Sequence, residues 1–189
     1  ILDKGHTRAE EDEAIKVLRA QGIEVRPSLL PFTPWTTLDD MVELMDFVAE
    51  HELIGNVDPV HYSIRLLVPE DSLLVHEPAM APHLGRYTSE HLGYEWTAAD
   101  PRTELLQQRI AQTVEQAAAT DQPLAQTYGQ VRDLVREAAG LDPSQCTVDA
   151  AVRDAAQARP RLTEAWFCCA EPTQLQLQPL SKSGVTFAS

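Results

Sequence analysis

The chain has 189 residues, 43% hydrophobic and 23% charged, which suits one domain with an appendage and a sizeable core. Its formal net charge of −14, with scattered basic residues, argues against a nucleic-acid groove or an anionic membrane surface. No apolar run approaches the roughly 20 residues of a membrane span, and three cysteines without framework spacing point to a reducing, cytoplasmic setting.

The chain opens on Ile1-Leu2-Asp3, with neither a methionine nor a basic-then-apolar leader, and is read as a piece of a longer polypeptide. Ile1-Leu2 is the stub of a strand. Thr7-Arg8-Ala9-Glu10 has capping-box spacing, and Ala14, Ile15, Val17 and Leu18 follow as an apolar stripe at helical spacing that Gly22 ends. Ile23 to Leu30 alternates as a strand, with Ile23, Val25 and Pro27 on one face and Glu24, Arg26 and Ser28 on the other. After the aromatic, proline-punctuated loop Pro31-Phe32-Thr33-Pro34-Trp35, a second helix opens at Thr36 or Thr37, with Asp39 and Asp40 in its first turn. Leu38, Met41, Val42, Met45, Val48 and Ala49 advance by threes and fours, and the helix is expected to stop near Gly55-Asn56. Pro59 to Val68 is the next strand, Tyr62, Ile64 and Leu66 facing one way, His61, Ser63 and Arg65 the other, with Pro69 closing it.

Strand, helix, strand is the rhythm of parallel βα units. Two and a half such units cannot close a barrel, so the fold class expected is α/β: the C-terminal part of a partial (β/α) barrel over residues 1–75. Residues 70–100 read as loop. Pro101 suits a first helical turn, and helices follow from there to about Thr120, from Leu124 to Ala139 before Gly140, and from Val148 to Ala158 before Pro160. Residues 76–163 are thus a mainly helical extension, and 164–189 an irregular tail.

That tail holds Trp166-Phe167-Cys168-Cys169-Ala170-Glu171-Pro172-Thr173. Adjacent thiols can close a strained ring, hold a soft metal or metalloid, or pass electrons as a dithiol; one can equally be a small core hydrophobe. Cys146 has no sequence partner and is expected to be buried. The histidines lack an i, i+4 partner or a Cys-x2-Cys context, so no metal site is assigned to them.

Several stretches together resemble the C-terminal part of cobalamin-binding radical S-adenosylmethionine proteins whose chains end in a Cys/selenocysteine-Cys-Ala-Glu-Pro tail. They are Leu2-Asp3-Lys4-Gly5-His6-Thr7, Gly22 to Ser28, Pro31 to Trp35, Ser63 to Pro69 and Cys168 to Pro172. The resemblance covers about residues 1–75 and 160–173. It implies a barrel that binds a [4Fe–4S] cluster and S-adenosylmethionine, cobalamin in an upstream domain, and a small-molecule substrate. The family's Cys-x3-Cys-x2-Cys cluster motif is not in this chain. Since clusters need thiolates at defined spacing, the chain is expected to be inactive without the upstream part of the same polypeptide.

Barrel chemistry sits at the C-terminal ends of strands. That points to Asp3, Lys4 and His6, to Phe32, Thr33 and Trp35, and to Leu67-Val68-Pro69. Trp35 is expected to plug the barrel edge and His6 to serve a helix cap. Arg26, Ser28, Ser63 and Arg65 lie on the polar strand face and are the candidate cofactor contacts, an arginine being suited to a carboxylate; pairing with acids in a structural network is the competing role. Cys168 and Cys169 are the candidate catalytic residues, as a redox-active or substrate-binding dithiol. Two other readings stand beside the enzyme: a soft-metal or metalloid-binding module built on the vicinal thiols, and a non-catalytic helical interaction domain.

Overall fold

The computed structural model describes Gly5 and residues 7–143. The Ile1-Leu2 stub, Asp3, Lys4, His6, the helix expected at 148–158 and all three cysteines lie outside the described residues. The described part is mixed α/β: α1 (Arg8–Ala20), α2 (Leu38–Glu50), β1 (Leu84–Thr88), β2 (Gly93–Trp96), α3 (Pro101–Ala119) and α4 (Leu124–Ala138), with 3-10 turns at Pro59–Tyr62 and Leu73–His76. β1 and β2 form a two-stranded antiparallel sheet.

Local chemistry sets the helix starts. Thr7 and Thr37 each accept the N–H three residues on, while Glu10 and Asp40 reach back to the cap's own N–H, closing two capping boxes. Asp100 caps α3 ahead of Pro101, whose missing N–H costs nothing in a first turn. All four helices end alike. The residue two past each helix has positive φ (Gly22, Glu52, Asp121, Gly140), and the N–H after it returns to the carbonyl five residues back: Ile23 to Leu18, Leu53 to Val48, Gln122 to Ala117 and Leu141 to Arg136. Only two of these positions are glycine. α2 therefore stops at Glu50, five residues before Gly55, because Glu52 takes the left-handed conformation itself (φ 51°).

The expected strands are corrected in two places. Ile23–Leu30 lies outside any named strand, and Pro59–Tyr62 is a 3-10 turn, because Asp58 accepts the Val60 N–H and Pro59 occupies the first helical position. Strand-like pairing begins further on. Phe32 and Arg65 form a parallel bridge: the Phe32 N–H donates to Ile64 O (3.2 Å) and the Leu66 N–H to Phe32 O (2.8 Å). Tyr62, Ile64, Leu66 and Val68 are buried while the residues between are half-buried, so the expected alternation holds from Tyr62 onward; His61, expected on the other face, is buried as well.

Residues 70–100, expected as loop, contain the β1–β2 hairpin. Its turn has a non-glycine left-handed residue, Leu92 (φ 57°), and β1 is half-buried only at its two ends, so neither turn chemistry nor alternation marks it. The hairpin lies against the 64–68 segment through Tyr94 N–H to Val68 O (2.8 Å). Gly93 permits this approach, since a Cβ there would sit 3.0 Å from Val68 O and from a Leu67 methyl.

One hydrophobic cluster joins these parts, running from Ile15, Phe32, Met41, Met45 and Val48 through Tyr62 and Val68 to Trp96, Ile110, Tyr128, Val131 and Val135. Residues from both sides of position 75 contribute to it. Met41 and Met45 are core residues, each 1% exposed.

Candidate functional site

The loop after the first extended segment and the start of α2 enclose an open groove of about 350 Å3, lined by Leu30, Pro31, Thr33, Trp35, Thr36, Asp40, Met41 and Leu44. The loop is braced from within. Thr36 Oγ donates to Pro31 O (2.9 Å) and accepts the Thr33 N–H (3.0 Å), so the 2.9 Å contact between the two threonine hydroxyls must have Thr33 as donor. Thr33 Oγ in turn accepts the Trp35 N–H (3.4 Å). Ala99 N–H to Pro34 O (2.8 Å) and Trp35 Nε1–H to Ala79 O (3.3 Å) fasten the loop to the hairpin side, where the Trp35 ring meets His83 edge-on. Of the three aromatic-loop residues singled out by position, Thr33 and Trp35 line the groove, while Phe32 is buried in the core.

The four candidate cofactor contacts lie elsewhere. Ser28 is exposed and Arg26 half-buried. Ser63 Oγ donates to Val60 O (2.9 Å), within its own turn, and the Ser63 carbonyl accepts from Gln107 of α3 (3.0 Å). Arg65 forms an ion pair with Glu104, donates to Trp96 O (3.1 Å) and stacks over the Trp96 ring at 4.0 Å. Glu104 also accepts the Ala98 N–H (2.9 Å), and the Trp96 indole N–H donates to Leu66 O (2.7 Å). Arg65 thus clasps α3 and β2 to the 64–68 segment. None of the four lines the groove.

Sequence reasoning passed over Glu104 and Asp40 as site residues. Glu104 lies 39 residues from its partner and reads as an ordinary first-turn acid. Asp40 was legible as a first-turn acid, but its place on a groove wall depends on how the loop folds back.

His61 is 4% exposed, and its Nδ1 lies 3.4 Å from the Leu29 N–H. Burial holds its pKa below 6.5, with the nearby Arg26 charge adding to that, against the opposing pull of Leu29 and Asp58. Tyr62 is 1% exposed; burial first, then Tyr128 and Asp58, pushes its phenol well above 10.0.

Among the described residues there is no cysteine, and no group of three His, Cys, Asp or Glu is placed to hold a metal ion. These residues do not fit a [4Fe–4S] cluster. Among the described residues no arginine, lysine or histidine lines the groove, so the carboxylate of S-adenosylmethionine would meet no cationic partner from them there. No helix among the described residues is long and apolar enough to cross a membrane.

No family model matches the chain, and neither a curated protein nor a solved structure is significantly similar to it.

Proposed function

We propose that the chain is the distal part of a cobalamin-dependent radical S-adenosylmethionine enzyme, contributing the last units of a partial (β/α) barrel and a C-terminal dithiol. The observation that carries this reading is the parallel bridge between Phe32 and Arg65, separated in sequence by α2. An extended segment, a helix and a parallel return make up the repeating unit of such a barrel. That unit coincides with the Pro31–Trp35 and Ser63–Pro69 stretches that carry the family resemblance.

In this reading the cluster, S-adenosylmethionine and cobalamin are held by upstream polypeptide, whose cofactors supply the radical chemistry. The present chain supplies a wall of the barrel and two adjacent sulfurs, Cys168 and Cys169, to reduce or capture a small-molecule substrate. Arg65 and Ser63 serve the wall, through Glu104, Trp96 and Gln107.

The test is the contiguous reading frame upstream of Ile1, expressed whole and reconstituted anaerobically with iron and sulfide. The expected result is a Cys-x3-Cys-x2-Cys motif and a brown protein that cleaves S-adenosylmethionine. In that protein Cys168→Ser and Cys169→Ser lower substrate turnover at unchanged iron content. An upstream frame without the motif, or an iron-loaded protein that leaves S-adenosylmethionine intact, overturns the reading. Tight arsenical binding that Cys169→Ser abolishes then favours the soft-metal module.

A further inference from the structure

The groove beside α2 has an uneven polar inventory. Its lining side chains carry three hydrogen-bond donors: the hydroxyls of Thr33 and Thr36 and the indole N–H of Trp35. All three are spent inside the protein, on Thr36 Oγ, Pro31 O and Ala79 O respectively. The N–H groups of Thr33, Trp35, Thr36, Asp40 and Met41 are likewise taken, by Thr36 Oγ, Thr33 Oγ, Thr33 O, Thr37 Oγ and Thr37 O. At the start of α2 the capping box takes the Asp40 N–H, and Leu38 and Asp39, whose N–H groups it leaves, are not part of the groove lining.

Acceptors fare differently. Among the described residues Asp40 is the only charged one on the lining. One of its oxygens, Oδ2, accepts the Thr37 N–H (2.8 Å), and the residue as a whole is exposed. The rest of the wall is apolar or aromatic: Leu30, Pro31, Met41, Leu44 and the Trp35 indole. An aromatic wall favours cations over anions, and the chain's net charge of −14 concentrates cations around it.

We propose that this groove binds a small organic ammonium, an apolar body of about a dozen heavy atoms or fewer with a cationic nitrogen directed at Asp40. The apolar part covers Leu30, Met41 and Leu44, and the charge lies between the Asp40 carboxylate and Trp35. Anionic ligands of the same size are rejected, since the described residues of the groove offer neither a free side-chain donor nor a positive charge to receive them. The inference rests on the groove alone and stands or falls apart from the radical-enzyme reading, because it needs neither cluster nor upstream polypeptide.

The experiment titrates the 189-residue chain, labelled with 15N, with benzyltrimethylammonium and separately with phenylacetate. The Trp35 indole signal, assigned through Trp35→Phe, is the reporter. The ammonium is expected to shift that signal and the Thr33 and Thr36 amides in a saturable way, and phenylacetate to leave them in place. Asp40→Asn keeps a side-chain acceptor for the Thr37 N–H, so the cap survives while the charge goes; it is expected to weaken binding about two- to fivefold. Trp35→Leu is expected to weaken it by a similar factor, roughly two- to fivefold. Thermal unfolding of both variants checks that the fold persists, and the Thr33 and Thr36 amides report binding where the indole is removed. Equal binding of phenylacetate, no saturable shift with the ammonium, or unchanged affinity in both folded variants overturns the proposal.

Discussion

The α3–α4 hairpin and the extended segments at 23–36 and 63–68 are held by different means. In the hairpin each helix satisfies its own backbone, and adhesion comes from Leu106, Ile110, Val114, Tyr128, Val131 and Val135, each 6% exposed or less. The extended segments share the single Phe32–Arg65 bridge, and side chains from other elements take up many of their remaining main-chain groups. Asn56 donates to Val25 O (2.8 Å), Gln107 to Ser63 O and Trp96 to Leu66 O, while the Leu29 N–H faces His61. Buried main-chain groups need partners, and where a ladder is short they are drawn from distant residues. The lesson is one of redundancy. A packed helix face spreads its energy over many contacts, whereas each of these side-chain bonds acts alone.

Substitutions can break this contrast, and the hairpin gives the largest effect. Ile110→Ala is expected to destabilise by about 2–5 kcal/mol in urea unfolding, because Ile110 is wholly buried. Leu105→Ala, on the exposed face of the same helix, is expected to stay within about 0.5 kcal/mol. Next comes the Arg65 clasp. Glu104→Ala strips the ion partner from a guanidinium with 17% side-chain exposure and orphans the Ala98 N–H, for a loss of about 1–3 kcal/mol. A double change of Arg65 and Glu104 to methionine is expected to cost less than Glu104→Ala; a larger loss would show that the charge pair itself is stabilising.

The two buried tyrosines sharpen the comparison at about 1 kcal/mol. The Tyr128 hydroxyl donates to Met45 O (2.7 Å), joining α4 to α2, so Tyr128→Phe is expected to cost about that much. The Tyr62 hydroxyl has no partner among the described residues, so Tyr62→Phe is expected to be neutral or slightly stabilising. Equal losses in parallel denaturation curves would contradict that distinction.

Among the described residues, glycine marks two of the four helix ends, and the other two are hidden by acids. Gly22 and Gly140 announce the ends of α1 and α4, but Glu52 and Asp121 adopt the same left-handed geometry against their side-chain preference. Glu52→Gly is therefore expected to stabilise the protein by about 0.5–1 kcal/mol, read as a rise in the urea midpoint at unchanged slope. Helix starts, helix periods and the core methionines were legible because they depend on neighbours three or four residues away. The hairpin, the Arg65 clasp and the groove were not, because Leu92 replaces a turn glycine and the partners of Arg65 lie 31 and 39 residues away.

The smallest effect expected is a pH dependence from His61. Its folded-state pKa lies below 6.5, so the unfolded chain takes up a proton first as pH falls. The stability associated with neutral His61 is fully present above about pH 6.5 and is lost as pH drops through the lower folded-state value. Urea midpoints between pH 7.5 and 5 are expected to fall less steeply in His61→Gln than in the parent chain. Parallel slopes would remove His61 from the account.

The sequence by itself determined where α1, α2, α3 and α4 begin, which face of α2 turns inward, and that Tyr62, Ile64 and Leu66 share a buried side. These follow from capping chemistry and from the helix and strand periods, which act over a few residues. Of the stripe expected to face inward on α1 only Ile15 is buried, while Ala14, Val17 and Leu18 are exposed. Tertiary structure alone decided that residues 59–62 turn as a 3-10 helix before the chain extends, that Arg65 serves Glu104 and Trp96, and that Thr33, Trp35 and Asp40 border one groove. Each of those outcomes depends on how the backbone folds back and on which distant group arrives to satisfy a donor, an acceptor or a charge.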